Sequence, residues 1–469
     1  MPSLRVRLPA GVLDLDALRA ELEVPGDFPA DALAEAEAAA AAPRLPDLDR
    51  TDLPLVTIDP PGSRDLDQAL HVARTPDGYR VSYAIADVAA FVTPGGALDR
   101  EVFARGVTLY APDTRVPLHP PVLGEDAASL LPDVLRPALL WELDLDPRGE
   151  LVATSVRRAR VRSTARLDYA QVQAALDDGS AGEVLQLLAE VGRLRQQLAA
   201  ARGAVDLPTP SQEVEVDAAG RPCLTWRAQL PVEGWNAHIS LLTGIAAARL
   251  MLDLGTGLLR TLPPAPEQDV AALRRSAAAL GVDWPDGASY GAVVSSLDPA
   301  VPSAAALLVL ATRLLRGAGY TAFDGAPPEQ PLHSAVALPY AHCTAPLRRL
   351  ADRHVGEVCL AASAGTEVPR WAREALPLLP DVMTAATRRA GALERAVVDG
   401  AEAVVLAPRV GERFAAVVVD AGPKGGVVQL QDPPVSGRCE GADLPLGERI
   451  EVTLVTADPV TRTVLFRRA

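Results

Sequence analysis

Apolar and polar positions alternate in different registers along the chain, and the changes of register divide it into three stretches. Residues 14–23 and 29–42 repeat at helical spacing, separate at a VPGD turn and stop at Pro43, so two short helices are predicted. An apolar run at 55–58 reads as a strand, an acidic turn-rich segment follows, and 79–85 alternates like a second strand. Strands and turns continue to about residue 161. Helical periodicity then dominates 169–201, 235–253, 305–315, 347–362 and 381–398. Beyond residue 402 the texture is β-rich again, with runs at 414–419, 427–431, 450–455 and 464–466 set between Gly and Pro turns. There Ile450, Val452, Leu454 and then Val464 and Phe466 give one apolar and one polar face. The expected fold is α+β and multidomain: a small N-terminal helical domain or arm (1–50), a large mixed α/β domain (51–400) and a five-stranded C-terminal β-barrel of OB type (403–469).

Composition narrows the class. With 469 residues, 49% hydrophobic and 22% charged, the chain can bury several cores and needs no staples. Its most apolar stretch, 241–259, is interrupted by Arg249 and Asp253 and reads as a buried helix, so no membrane partner is expected. The first residues run into Asp14, Asp16, Glu21 and Glu23 without a signal core, which points to a cytoplasmic protein. Cys223, Cys343, Cys359 and Cys439 show no CxxC spacing, so reduced, mostly buried thiols are expected. A net charge of -15 disfavours a nucleic-acid partner on average, but residues 1–52 hold 11 acidic against 5 basic residues and so much of the excess. Conversely Arg157, Arg158, Arg160, Arg162 and Arg166 share a stretch without an acid, so a local basic stripe can survive the average. A monomer is expected.

Several motifs fail. The sole lysine, Lys424, follows Pro423, so there is no phosphate loop; the GxGxxG pattern from Gly255 breaks at Arg260; no GxSxG or HExxH occurs. Two constellations remain. In TIDPPGSRDLDQAL, residues 57–70, a strand end delivers Asp59 and a turn brings Asp65 and Asp67, two apart, to one side of an extended stretch. Three carboxylates packed together repel unless a divalent cation neutralises them, and hard oxygen ligands select Mg²⁺ or Mn²⁺. An exposed, solvated Asp-rich turn is the plain alternative. In YAHCTAPLRRLADRH, residues 340–354, Pro346 can open a helix with Arg348 and Arg349 in its first turn, where fixed guanidiniums grip a phosphate; a surface Arg pair is the alternative.

Taken together these segments resemble the RNase II family, the RNB-type 3′→5′ exoribonucleases. The family writes a TIDD-like strand end and a D-[IL]-D-D-A run; Asp59, Asp65 and Asp67 match, and Gln68 stands where the last Asp would be. Its middle motif corresponds to AIADVAAFVTPGGALDREVFARGVTLY at 84–110, its T-S-P-[IL]-R-[RK]-Y-x-D to TAPLRRLAD at 344–352, and its K-L-x-Y-x-x-V to ARLDYAQV at 165–172. The likeness spans roughly residues 50–400, with an RNA-binding OB module commonly following. It implies an RNB-type catalytic domain that binds Mg²⁺, or Mn²⁺, and degrades single-stranded RNA, or RNA with a 3′ overhang, processively to nucleoside 5′-monophosphates. Asp59, Asp65, Asp67 and Gln68 would form the metal site, with hydrolysis depending most on Asp67. Arg348 would stabilise the pentavalent phosphorus and Arg349 the backbone. Tyr110 would stack on a base, Tyr169 would flank the acids, and Glu233, at the helix start in LPVEGWNAH, would touch RNA. Three departures stand out: the neutral Gln68; a helical arm of about 50 residues where the family has cold-shock barrels; and a C-terminal barrel with Phe414 and Phe466 as its only aromatics and 8 basic to 8 acidic residues. An RNB-like RNA-binding protein with weak or lost catalysis is the second reading.

Overall fold

The computed structural model describes residues 5–6, 13–207, 211–216, 222–227, 229–299, 301–430 and 432–469. Strands β1 (Leu55–Asp59), β2 (Gln68–Thr75), β3 (Gly78–Ala86), β4 (Leu135–Leu145) and β5 (Leu151–Asp168) close into a barrel in that order. Neighbours are antiparallel except β1 and β5, whose parallel register runs from Leu55 opposite Ser163 to Asp59 opposite Asp168. That pair sets the position of Asp59 at the barrel rim. β3 alternates as predicted from Tyr79 to Ile85, and from Val81 onward it is buried on both faces, the second taken by the small Ser82 and Ala84. β5 outruns the expected end at 161 because Val156, Ala159, Val161 and Ser163 keep filling the barrel while arginines face outward.

That arginine run is less basic than its sequence suggests. Arg157 pairs with Glu142 (2.7 Å), Arg158 with Asp87 (2.8 Å) and Glu357, and Arg160 with Asp49 (3.3 Å). Acids on other elements thus spend three of its five charges.

Helices wrap this barrel. α1 (Leu15–Glu21) and α2 (Ala30–Ala41) form the N-terminal arm, and both are packed rather than free: Leu18 joins the C-terminal core, while Ala32 and Ala36 join the barrel core. Glu35 of α2 accepts the Ala97 and Leu98 backbone N–H groups (2.8 and 2.9 Å), capping α3 (Ala97–Arg105) from outside. α4 (Tyr169–Asp177) begins with a capping box on Asp168 and Gln171. α5 (Glu183–Ala201) and α6 (Pro231–Leu254) follow. α6 is long and apolar enough to cross a membrane by composition, and it buries Val232, Trp235, Ile239, Leu242 and Met251 in the barrel core. β6 (Thr256–Thr261) pairs with β7 (Gly319–Asp324), then α7 (Leu350–Ala364) packs on β5 and α6.

α8 (Leu379–Leu406) carries Leu393, Val397 and Ala401 into a second core with Phe414, Val452 and Phe466. Here β8 (Arg413–Gly422), β9 (Gly425–Leu430), β10 (Ser436–Glu440), β11 (Arg449–Asp458) and β12 (Thr463–Arg468) close a barrel in the order β8-β9-β10-β12-β11. This is the OB-type barrel expected from the alternation. Cys343, Cys359 and Cys439 are buried free thiols; the side chain of Cys223 lies outside the described residues.

Candidate active site

The acidic loop is held by the core at its centre. Leu66 is fully buried, its N–H donates to Ser129 Oγ (3.0 Å), and Ser129 donates in turn to the Arg64 carbonyl (2.6 Å). Asp65 and Asp67 flank this anchor. Asp67, 3% exposed, accepts the Leu347 N–H at Oδ1 (2.8 Å) and Arg348 Nε at Oδ2 (3.0 Å), so residues 281 positions apart meet directly. Asp65 accepts from Arg115, whose other nitrogen donates to Glu125 (2.6 Å). Asp59 lies within electrostatic reach of Asp65 and Arg348, and no group among the described residues donates a hydrogen bond to it.

Burial dominates the electrostatics. It pushes the Asp59 carboxyl up to about 6, with Asp65 adding to the rise and Arg348 opposing it. It pushes Asp67 up to about 7 against the pull of Arg348 and the Leu347 N–H. The three carboxylates therefore interact but are bonded separately; among the described residues no three His, Cys, Asp or Glu side chains stand close enough to hold one ion. The donors still suit a hard cation. They are oxygens, the Asp59 carboxylate is unspent, and a divalent charge would relieve the strain that raises both acids.

The arginine segment departs from the sequence expectation. Pro346 opens a turn, not a helix: Arg348 and Arg349 N–H both return to the Ala345 carbonyl (3.2 and 2.9 Å), and α7 starts only at Leu350. Arg349 is extended (φ -138°, ψ 122°) because it bridges to Val107, while Thr108 N–H donates to the Arg348 carbonyl and Leu350 N–H to that of Gly106. This two-bond stitch overrides the helix-start preference of Pro346. Gly106 sits at φ +71°, and a Cβ there would meet Ala386 Cβ at 2.6 Å, so the stitch needs glycine. Arg348 is half-exposed and spends Nε on Asp67, which leaves its terminal nitrogens for a ligand. Arg349 gives Nε and Nη2 to Asp352 (3.0 and 2.7 Å), which also accepts the Ala345 N–H (2.7 Å).

Gln68 faces neutral partners. Its Nε2 donates to the Thr344 carbonyl (2.5 Å) and its Oε1 accepts from the Tyr83 hydroxyl (2.6 Å), so the amide clasps the arginine segment to β2 and β3. Thr344 Oγ1 also bonds Ser240 Oγ on α6 (2.7 Å). Tyr169 accepts from Asn236 Nδ2 (3.3 Å) and lies in the electrostatic field of Asp59 and Glu233. Glu233 accepts the Leu230 N–H (3.1 Å) at the start of α6. Tyr110 is 42% exposed and pairs in register with Arg115 across a two-residue strand pair, beside Asp65 and Asp67. Gly106 and Thr344 fall in the quoted motifs, whereas Arg115 and Ser240 were not singled out in the sequence. Arg115 lies in an unremarkable polar stretch, and only the fold reveals its contact with Asp65.

The RNB domain matches residues 48–362 of this chain, and the RNase II-type exonuclease C-terminal S1 domain matches residues 412–469. The chain belongs to the RNB family. This RNB protein is 33% identical over 333 residues to the exosome complex exonuclease RRP44 homolog A of Arabidopsis thaliana (68% of this chain, 35% of that protein). It is 27% identical over 474 residues to ribonuclease R of Vibrio cholerae (91% and 56%), so the RNB chain spans about a third to just over half of these relatives. Its fold matches Mycoplasma genitalium RNase R in complex with ribose-methylated single-stranded RNA at a TM-score of 0.84, with 19% identity, covering 97% of this chain and 78% of that one. It also matches yeast Ssd1, a pseudonuclease, at a TM-score of 0.66 with 18% identity, covering 89% and 52%.

Proposed function

We propose that this chain is a divalent-metal-dependent 3′→5′ exoribonuclease that shortens single-stranded RNA processively to nucleoside 5′-monophosphates. The observation that carries the reading is the Asp67–Arg348 pair, which sets a buried carboxylate and a half-exposed guanidinium side by side. Asp59 and Asp67, with Asp65 beside them, would hold Mg²⁺ or Mn²⁺. When bound, the ion supplies a polarised water and charge neutralisation at the scissile phosphate. Arg348 offers its terminal N–H groups to phosphate oxygens, where charge grows in the transition state, and Asp67 fixes its direction. Arg349, tied to Asp352, keeps the turn in place and reaches the backbone. Tyr110 presents its ring for base stacking, and Tyr169 and Glu233 line the α6 side of the acids. Incubating the protein with 5′-labelled RNA and Mg²⁺ should give stepwise shortening, and Asp67→Asn should retain RNA while stopping hydrolysis. Unchanged turnover in Asp67→Asn would refute the assignment.

A second reading has its own support. Gln68 spends both amide ends on Tyr83 and Thr344, so the fourth carboxylate of the family motif has no counterpart here. An RNA-binding protein with weak or lost catalysis would retain RNA in EDTA and in Mg²⁺ alike without shortening it.

A further inference from the structure

We propose that Arg260 binds the RNA phosphate immediately 5′ of the scissile one. Arg260 lies on β6 directly opposite Tyr320 of β7, and its guanidinium stacks over the Tyr320 ring at 4.7 Å. The ring is itself fixed, since its hydroxyl bonds His342 Nδ1 (2.7 Å) and His342 meets Tyr340 edge-on (5.6 Å between centroids). The Arg260 N–H donates to the Tyr340 carbonyl (2.8 Å), which ties β6 to the segment that turns into Arg348 and Arg349.

The charges around this unit do not balance. Arg348 is matched by Asp67 and Arg349 by Asp352, but among the described residues no acidic side chain pairs with the half-buried Arg260. Arg349, though paired with Asp352, lies within electrostatic range and further disfavours the charge on Arg260. A guanidinium so placed, its forked donors oriented by a rigid ring, is costly to keep unless an anion arrives to share it. An RNA phosphate has the matching geometry for that fork. The assignment rests on the exoribonuclease reading, which also sets its register: an enzyme that removes the 3′-terminal nucleotide finds every other phosphate on the 5′ side of the bond it cuts. The phosphate next to the one at Arg348 is therefore the candidate for Arg260.

The test is equilibrium binding in EDTA of RNA carrying one uncharged methylphosphonate linkage, at the second linkage from the 3′ end or several linkages further 5′. The adjoining ribose is 2′-O-methylated in both. Wild-type protein should bind the first RNA about tenfold more weakly than the second. Arg260→Met should lose about the same factor on unmodified RNA, show no further loss at the second linkage, and lower the salt slope of binding by about 0.7. If the two methylphosphonates cost wild type the same, the Arg260 assignment is overturned, whatever the variant does. That comparison needs no mutant to fold. Should wild type shorten RNA and yet ignore the position of the neutral linkage, only this assignment falls. If wild type neither binds nor shortens RNA, the exoribonuclease reading falls, and the phosphate register falls with it.

Discussion

Replacing Gln68 with Asp restores the acidic residue of the family motif and shows what the amide does here. The variant loses the donor to the Thr344 carbonyl, and Thr344 is 2% exposed, so that oxygen is left unsatisfied at a cost of about 1–3 kcal/mol. The Tyr83 hydroxyl that Gln68 contacts stands in the field of Asp59, whose carboxyl is already pushed up to about 6. A further carboxylate there adds like-charge repulsion of about 1 kcal/mol at neutral pH. Together the metal-free variant should be about 2–4 kcal/mol less stable. For a chain of 469 residues the unfolding entropy is about 1 kcal/mol/K, so its melting temperature should fall by about 2–4 °C. Differential scanning calorimetry in EDTA and in saturating Mg²⁺ measures both halves of the argument, because a cation that binds the folded state should raise the variant more than the wild type. Identical melting of Gln68→Asp and wild type in EDTA would refute the clasp. A lower melting point that Mg²⁺ does not restore would refute the placement of this side chain beside the cation.

Two further outcomes follow from buried groups. His119 and His354 are buried as neutral rings, and burial holds both down to about 4. At each ring the unfolded chain therefore binds more protons, so the ring's contribution should be complete above about pH 6.5 and fall toward pH 4 by up to about 3 kcal/mol; Asp59 and Asp67, shifted upward, gain stability as they protonate and offset the two rings by about the same amount. In urea titrations near pH 7 and pH 5, His354→Gln should gain about 2 kcal/mol relative to wild type on acidification, and an unchanged difference between the two proteins would remove His354 from the account. Gly106→Ala should cost about 2–4 kcal/mol, from the φ of +71° and the 2.6 Å approach to Ala386, and should slow RNA shortening because Leu350 is anchored on the Gly106 carbonyl. A variant that melts and cleaves as wild type would show that the stitch can shift without harm.

Much of this architecture was legible because one physical signal dominated each element. Alternation at Ile450, Val452 and Leu454 required one wet and one buried face, and the second barrel supplies them. The strand it concealed, Ser436–Glu440, has a polar, glycine-bearing sequence; it is a strand because Ser436 pairs with Gln429 and Arg438 with both Val427 and Leu465. Pro346 misled for the same reason: its local preference for opening a helix lost to backbone bonds with segment 106–108, which no local pattern announces. Asp59, Asp65, Asp67 and Arg348 were legible as types and spacing. Their actual partners were not, since Arg115 is brought to Asp65, and the Leu347 N–H to Asp67, only by the closed barrel, as Thr344 and Tyr83 are to Gln68.

This dependence on tertiary contact determines how the site is built. The acidic loop hangs on buried Leu66 and Ser129, and the arginine turn hangs on backbone bonds to residues 106–108 together with the Asp67 and Asp352 carboxylates, which accept the Leu347 and Ala345 N–H groups. The core sustains two buried carboxylates whose burial makes ionisation costly, because their backbone is fixed before their charges are counted. Substitutions at Arg348, half-exposed and bonded through a single nitrogen, should therefore alter chemistry more than folding, whereas those at Asp352, buried and bonded to three donors, should alter both.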